Sequence, residues 1–194
     1  MINTTKHTIN PLISRRRSIV SFSSEPVSEE YLQLLFNAAR WAPSSSNLQP
    51  WHFIYATREN EADYLRLFNL LHESNKEWAI TAPVLMLSVT EVFSQVKKRE
   101  NRYAFHDLGL AVGNLLVQAT SLGLYVHQMG GYDVEGARNS LDIPEGYEPG
   151  AMIAIGFPGE IDHLPMRLKR KELAKRTRKP VTEFVFKGNW NKGD

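Results

Sequence analysis

The sequence predicts an α+β fold, with helices and strands mixed but no regular βαβ alternation. Two segments anchor that reading. His106 to Leu122 has the apolar periodicity of a long helix, and Val84 to Val89 is a continuous apolar run suited to a strand buried on both faces. A helix buried all round is the competing reading of the second segment.

The other elements follow in order. Asn10 before Pro11 is an N-cap and N1 pair, opening a short helix with Leu12 and Ile13 that ends around Arg15-Arg16-Arg17. After a turn-rich stretch, Ser21 to Pro26, Ser28 caps a stronger helix. Glu29 and Glu30 lie in its first turn, and Tyr31, Leu32, Leu35, Phe36 and Ala39 recur at helical spacing until Pro43 and the serines stop it. Trp51 to Ala56 reads as a strand, and residues 58–78 as one helix carrying Tyr64, Leu65, Leu67, Phe68 and Leu71. Gly123 stands at the C-cap position of the long helix. Leu124 to His127 is a short strand leading into Gly130-Gly131; Asp133 caps a brief helix to Leu141, and Ile143 to Gly146 is a turn. Ala151 to Phe157 is a strand, a basic segment follows, and Val181 to Phe186 alternates as an exposed strand would.

The composition is that of a folded domain: 194 residues, 42% hydrophobic and 23% charged, with no linker or repeat dividing the chain. The expected organisation is one domain over residues 1–194, with an arm from about residue 165. Cysteine is absent, which removes thiolate nucleophiles, disulfides and Cys-type metal sites. The six histidines show no metal-ligand spacing, and no metal is expected. No G-x-S-x-G elbow, Walker A or G-x-G-x-x-G occurs. The opening MINTTKHTIN lacks an apolar signal core, and the longest apolar run, Ala79 to Val89, is too short for a bilayer span of about 20 residues. A cytoplasmic protein without membrane contact is expected.

Lys and Arg total 23 against 21 Asp and Glu, a formal charge of +2. Two clusters stand out from this near balance: Arg15 to Arg17, and Arg167 through Lys169, Arg170, Lys171, Lys175, Arg176 and Arg178 to Lys179. They point to a localised anion rather than the wide basic face of a nucleic-acid binder, although charge runs are also common on solvated surfaces. Arg16-Arg17-Ser18 combines guanidinium forks with a short-range hydroxyl, the donor set that phosphate accepts from. The stretch from Ala42 to Trp51 sets hydroxyl and amide groups between two prolines, able to bond a polar heterocycle or simply to turn the chain.

In order along the chain, these motifs resemble the FMN-dependent nitroreductase family. The resemblance rests on Arg16-Arg17-Ser18, then Pro43-Ser44-Ser45-Ser46-Asn47-Leu48-Gln49-Pro50-Trp51, then His106 to Ala111 with Asn114-Leu115. Met129-Gly130-Gly131-Tyr132, Ala154 to Pro158 and Arg176 to Pro180 complete it, so that it runs from about Leu12 to Phe186. It implies a nitroreductase-like fold: a central mixed, mainly antiparallel sheet flanked by helices, in an intertwined homodimer whose C-terminal strands are exchanged. It implies FMN as cofactor, with Arg16, Arg17, Ser18, Arg176 and Arg178 on its phosphate and ribityl chain. Pro43, Ser44, Ser45, Ser46 and Asn47 of the second subunit would line the ring edges. Met129, Gly130 and Gly131 would pass beneath the ring, with backbone donors near N5 and O4.

The implied activity is ping-pong hydride transfer through flavin N5, from NADH or NADPH to a small acceptor such as a nitroaromatic or quinone, with no catalytic side chain. The family's specialised reactions, reductive dehalogenation and flavin breakdown, and a flavin-binding protein without turnover are the alternatives. Two positions depart from the family pattern. Val20 stands where many members carry a cation near the N1 and O2 edge, and Gly130 where relatives often carry an acid.

Overall fold

The computed structural model describes residues 9–190. The opening MINTTKHT and the last four residues of the proposed arm lie outside the described residues. Seven α-helices are found among the described residues: α1 (Pro11–Arg15), α2 (Glu29–Arg40), α3 (Glu61–Asn69), α4 (Glu73–Ala79), α5 (Ala104–Ser121), α6 (Val134–Ser140) and α7 (Met166–Leu173). The strands are β1 (Trp51–Thr57), β2 (Val84–Glu91), β3 (Phe93–Ser94), β4 (Arg99–Glu100), β5 (Tyr125–Met129) and β6 (Tyr147–Gly156). Four of them form one sheet in the order β1-β2-β6-β5, every pairing antiparallel, while β3 and β4 make a separate hairpin.

The predicted caps are where local chemistry puts them. The Asn10 side chain accepts from Leu12 N–H, Ser28 from Tyr31 N–H and Asp133 from Gly136 N–H, each satisfying an otherwise orphaned first-turn donor. Gly123 follows α5 at φ +76°, a left-handed conformation open to glycine at no steric cost.

Strand β2 is buried on both faces, and its side chains alternate between two apolar layers. Leu85, Leu87 and Val89 join Tyr64, Leu67 and Trp78 beneath α3 and α4; Val84 and Met86 join Leu32, Leu35, Leu108 and Leu115 beneath α2 and α5. β6 divides likewise, Met152 and Ala154 on one side and Ile153 and Ile155 on the other. The result is a sheet between two helical layers. A bulge interrupts the β2–β6 ladder at Ser88, whose hydroxyl accepts from Ala151 N–H at 2.9 Å and donates to Ala151 C=O at 3.1 Å.

Two sequence expectations are corrected. Residues 58–78 are two helices, broken at Leu70 to His72. There the backbone leaves the helix to pair with the chain around Gly131: His72 N–H donates to Gly131 C=O at 3.0 Å, and Asp133 N–H to Leu70 C=O at 2.8 Å. Val181 to Phe186 is no strand within the chain. Lacking a strand beside it, the segment closes on itself as a 3-10 turn, Val181–Glu183, with Glu183 N–H on Pro180 C=O and Val185 N–H on Val181 C=O, both at 3.0 Å. Helix α7 and the β3–β4 hairpin have no counterpart in the sequence reading.

Candidate functional site

The two ends of the chain meet at one cavity. After α1 the backbone turns extended at Arg16 (φ −51°, ψ 127°), which exposes the last carbonyls of the helix. Arg176, arriving from beyond α7, donates to Ser14 C=O at 2.6 Å and to Arg16 C=O, latching the C-terminal segment onto α1. Arg16, Arg176 and Arg178 then line a cavity of about 540 Å³ with Ser14, Ile9 and Ile13. Among the described residues no acidic side chain lines it. Burial, followed by the nearby charges of Arg176 and Arg178, pushes the Arg16 pKa below the usual arginine value. Three guanidinium groups held together without a counter-charge form an electropositive pocket matched to a small anion.

The other residues of the predicted phosphate group divide. Ser18 Oγ accepts from the Arg16 guanidinium at 3.3 Å and stays with the cluster. Arg17 turns away to donate to the Glu172 main-chain carbonyl on α7.

Val20 is core, 1% exposed, and its N–H donates to the Glu172 carboxylate at 2.6 Å. Glu172 is itself buried, so both polar partners lie out of water and depend on each other. Beneath this segment His127 on β5 pairs through Nδ1 with Ile19 C=O at 2.6 Å and stacks on Trp78, ring centroids 4.4 Å apart. Burial, then the charges of Lys171 and Arg16, hold His127 below the ordinary histidine pKa against the opposing pull of its hydrogen bond to Ile19.

Pro43 to Asn47 form a loop between α2 and β1 with an unusual backbone. Ser46 (φ 53°), Asn47 (φ 55°) and Gln49 (φ 49°) all lie in the left-handed region that non-glycine residues rarely enter. Two outside contacts hold it there, Ser45 N–H donating to Asp107 Oδ2 at 3.0 Å and the Lys97 ammonium to Ser46 Oγ, and within the segment Gln49 N–H donates to Ser44 Oγ at 3.0 Å. Asp107 is 2% exposed near the start of α5, so the long helix fixes the loop. Pro43, Ser44 and Ser45 line a second cavity of about 310 Å³ with Tyr103, His106 and Leu110. This cavity shares no lining residue with the arginine cavity.

The Met129-Gly130-Gly131 segment closes the list of sequence candidates. Met129 is buried in the core. A Cβ added at Gly130 would meet nothing within 4 Å, whereas one at Gly131 would come within 3.0 Å of Asn75 Nδ2 and 3.3 Å of His72 Nδ1. Gly131 is therefore closely packed against the start of α4, where a Cβ would have to push the Asn75 and His72 side chains aside, and of the two glycines open space stands only beside 130. Asp107, Glu172 and Lys97 escaped the sequence reading. A lone acid inside an apolar helical stripe was a readable signal for Asp107; Glu172 and Lys97 sit among many similar charges and carried none.

A three-layer α+β protein with an arginine-lined anion pocket and a strained polar loop is the class that fold and site define. The pattern of the nitroreductase family matches residues 13–77 and 66–157, and the chain belongs to that family. It is 33% identical to a solved structure described as an oxidoreductase containing FMN, at a TM-score of 0.91 over 97% of this chain and 96% of that one. It is also 30% identical over 152 residues to a Methanothermobacter thermautotrophicus protein assigned the name NADH dehydrogenase/NAD(P)H nitroreductase, covering 76% of each. Iodotyrosine deiodinase 1 of Rattus norvegicus is 32% identical over 142 residues, 58% of this chain; the match spans 48% of that longer protein. Among the described residues no helix is long and apolar enough to cross a membrane, and no group of three His, Cys, Asp or Glu is placed to hold a metal.

Proposed function

We propose that this chain is an FMN-dependent NAD(P)H oxidoreductase of the cytoplasm that reduces small acceptors such as nitroaromatics or quinones and works as a homodimer. The observation that carries the reading is the convergence of Arg16, Arg176 and Arg178 on one cavity without a counter-charge. That donor set fits a phosphate monoester, and the FMN phosphate would relieve the mutual repulsion of the three cations. Ser18 would add a hydroxyl, and Arg17 would act by holding the segment to α7.

The loop Pro43 to Asn47 would present hydroxyl and amide groups to the ring, its conformation preset by Asp107 and Lys97. Because the loop and the arginines line separate cavities of one chain, the reading pairs the arginines of one subunit with the loop of its partner. The arm expected from about residue 165 would leave the subunit only beyond Arg178, since α7 and Arg176 are held to their own chain, and Val181 to Phe186 would become a strand by adding to the partner's sheet. Exposed Phe184 (59%) and Trp190 (80%) support such a covering. Bound FMN supplies reversible two-electron chemistry at N5, so the chain needs no nucleophile of its own. The chain's part is to hold the phosphate, to keep Met129 to Gly131 beneath the ring, and to leave the space beside Gly130 open.

The test is the visible spectrum of the purified protein, followed by anaerobic addition of NADH or NADPH. A yellow protein bleached by either nucleotide is expected; a colourless protein that FMN cannot reconstitute refutes the reading. Arg16→Ala with Arg178→Ala should weaken FMN retention, and light scattering should return twice the mass of the chain. The match to the rat deiodinase supports a second reading, reductive dehalogenation, tested by iodide release from iodotyrosine.

A further inference from the structure

The β3–β4 hairpin enters the arrangement above only through Lys97, yet it is firmly built. Its base is tied by Val92 N–H to Gly146 C=O at 2.8 Å and Asn101 N–H to Val92 C=O at 2.7 Å. At its turn, Lys97 N–H donates to the hydroxyl of Ser94, a residue 4% exposed, and Lys98 takes φ 51°. This geometry pins the tip so that the Lys97 ammonium reaches Ser46 of the strained loop.

Between hairpin and loop lies a cleft of about 240 Å³, lined by Lys97, Arg99, Arg102, Glu100, Ser45 and Tyr103 among others. Three cations against one carboxylate leave the cleft with a surplus of two positive charges. No salt bridge among the described residues engages Lys97, Arg99 or Arg102. Ser45 and Tyr103 also line the cavity beside Pro43 and Ser44, which the Asp107 carboxylate borders as well, so the two spaces adjoin.

Resting on the proposed oxidoreductase, we infer that this cleft receives the 2′-phosphate of NADPH and makes the enzyme prefer that donor to NADH. Of the reactants in the proposed reaction, nitroaromatics and quinones are small and uncharged, and the FMN phosphate is assigned above to the arginine pocket, which shares no lining residue with this cleft. The pyrophosphate common to both donors spreads two negative charges over two phosphates, whereas the 2′-phosphate gathers about −1.5 to −2 at neutral pH on one group, the compact dianion that matches the two uncompensated charges. Arg99 and Arg102 offer planar forks to its oxygens, and Lys97 adds a point charge. A dinucleotide with its nicotinamide in the cavity beside Pro43 would have the rest of its length to run toward the adjoining cleft.

The test uses the FMN-loaded protein and compares it with Arg99→Gln/Arg102→Gln, with FMN content and melting temperature as folding controls. The double variant should lose about tenfold in kcat/KM with NADPH, equivalent to about 1.4 kcal/mol, while NADH kinetics stay unchanged. Equal losses with both donors, or no loss with either, overturn the inference, as does a loss confined to an anionic acceptor. Calorimetry with 2′-phospho-ADP-ribose against ADP-ribose reads the cleft without turnover. Tighter binding of the phosphorylated ligand, abolished in the variant, is expected, and equal binding refutes the cleft. Should neither nucleotide bleach the flavin, the oxidoreductase reading fails, and the calorimetric comparison still decides whether the cleft takes the phosphate.

Discussion

Removing the Glu172 carboxylate should loosen the arginine segment and the fold together. Glu172 is 7% exposed and accepts the N–H of Val20, itself 1% exposed, at 2.6 Å. In Glu172→Ala that N–H loses its acceptor with no water at hand, which costs about 1–3 kcal/mol for a buried unsatisfied donor. A charge-assisted bond sits at the upper end of that range, but the variant also escapes the desolvation of a buried carboxylate, so the net expectation is about 2 kcal/mol. For a chain of this size, a loss of that order lowers the melting temperature by roughly 4–8 °C. Glu172→Gln keeps an oxygen for Val20 and should lose about half as much. The assay is urea unfolding followed by fluorescence, with FMN release rate as a second readout, because Arg17 is bound to the main chain of the same residue. An alanine variant within about 0.5 kcal/mol of the parent, releasing FMN no faster, would show that α7 does not hold this segment.

Other perturbations test neighbouring parts of the argument. His127 has a lowered pKa, so the folded state stays neutral while the unfolded chain takes a proton as pH falls through about 6.5. Its stabilisation is thus whole above that pH and declines below it, down through the lowered folded value; His127→Gln should flatten the fall in melting temperature between pH 7.5 and 5.5, and an unchanged pH profile refutes this. Gln49→Gly, at φ 49° on an exposed loop, should stabilise by about 0.5–1 kcal/mol in urea titrations, since glycine enters the left-handed region freely. Gly131→Ala should destabilise by about 1–2 kcal/mol through its 3.0 Å approach to Asn75, while Gly130→Ala should unfold as the parent does. Equal effects at the two glycines would contradict the packing described.

Local signals were legible wherever the chemistry that shapes an element is contained within it. Asn10-Pro11, Ser28 and Asp133 cap their own helices, Gly123 ends α5, and the near-continuous apolarity of Val84 to Val89, broken only by Ser88, reports a strand covered on both sides. The anion site was half legible. Guanidinium clusters near both chain ends announced an anion, but nothing in the spacing separated Arg16, which faces the cavity, from Arg17, which faces α7. The strain at Ser46, Asn47 and Gln49 was hidden altogether, because none of the three is a glycine and the contacts that impose it come from Asp107 and Lys97, far along the chain.

The sequence by itself determined the α+β class, the caps, the central buried strand and the presence of two arginine clusters, because propensity, periodicity and charge act over a few residues. Only the tertiary structure decided that helix formation stops at Leu70, where backbone pairing with the chain around Gly131 outweighs one more helical turn. It also decided that Val20 is core, that its N–H belongs to Glu172, and that Arg176 and Arg178 join Arg16 across the length of the chain. Those outcomes rest on hydrogen bonds and charges between distant residues, whose energies exist only once the sheet and its two helical layers have brought them within reach.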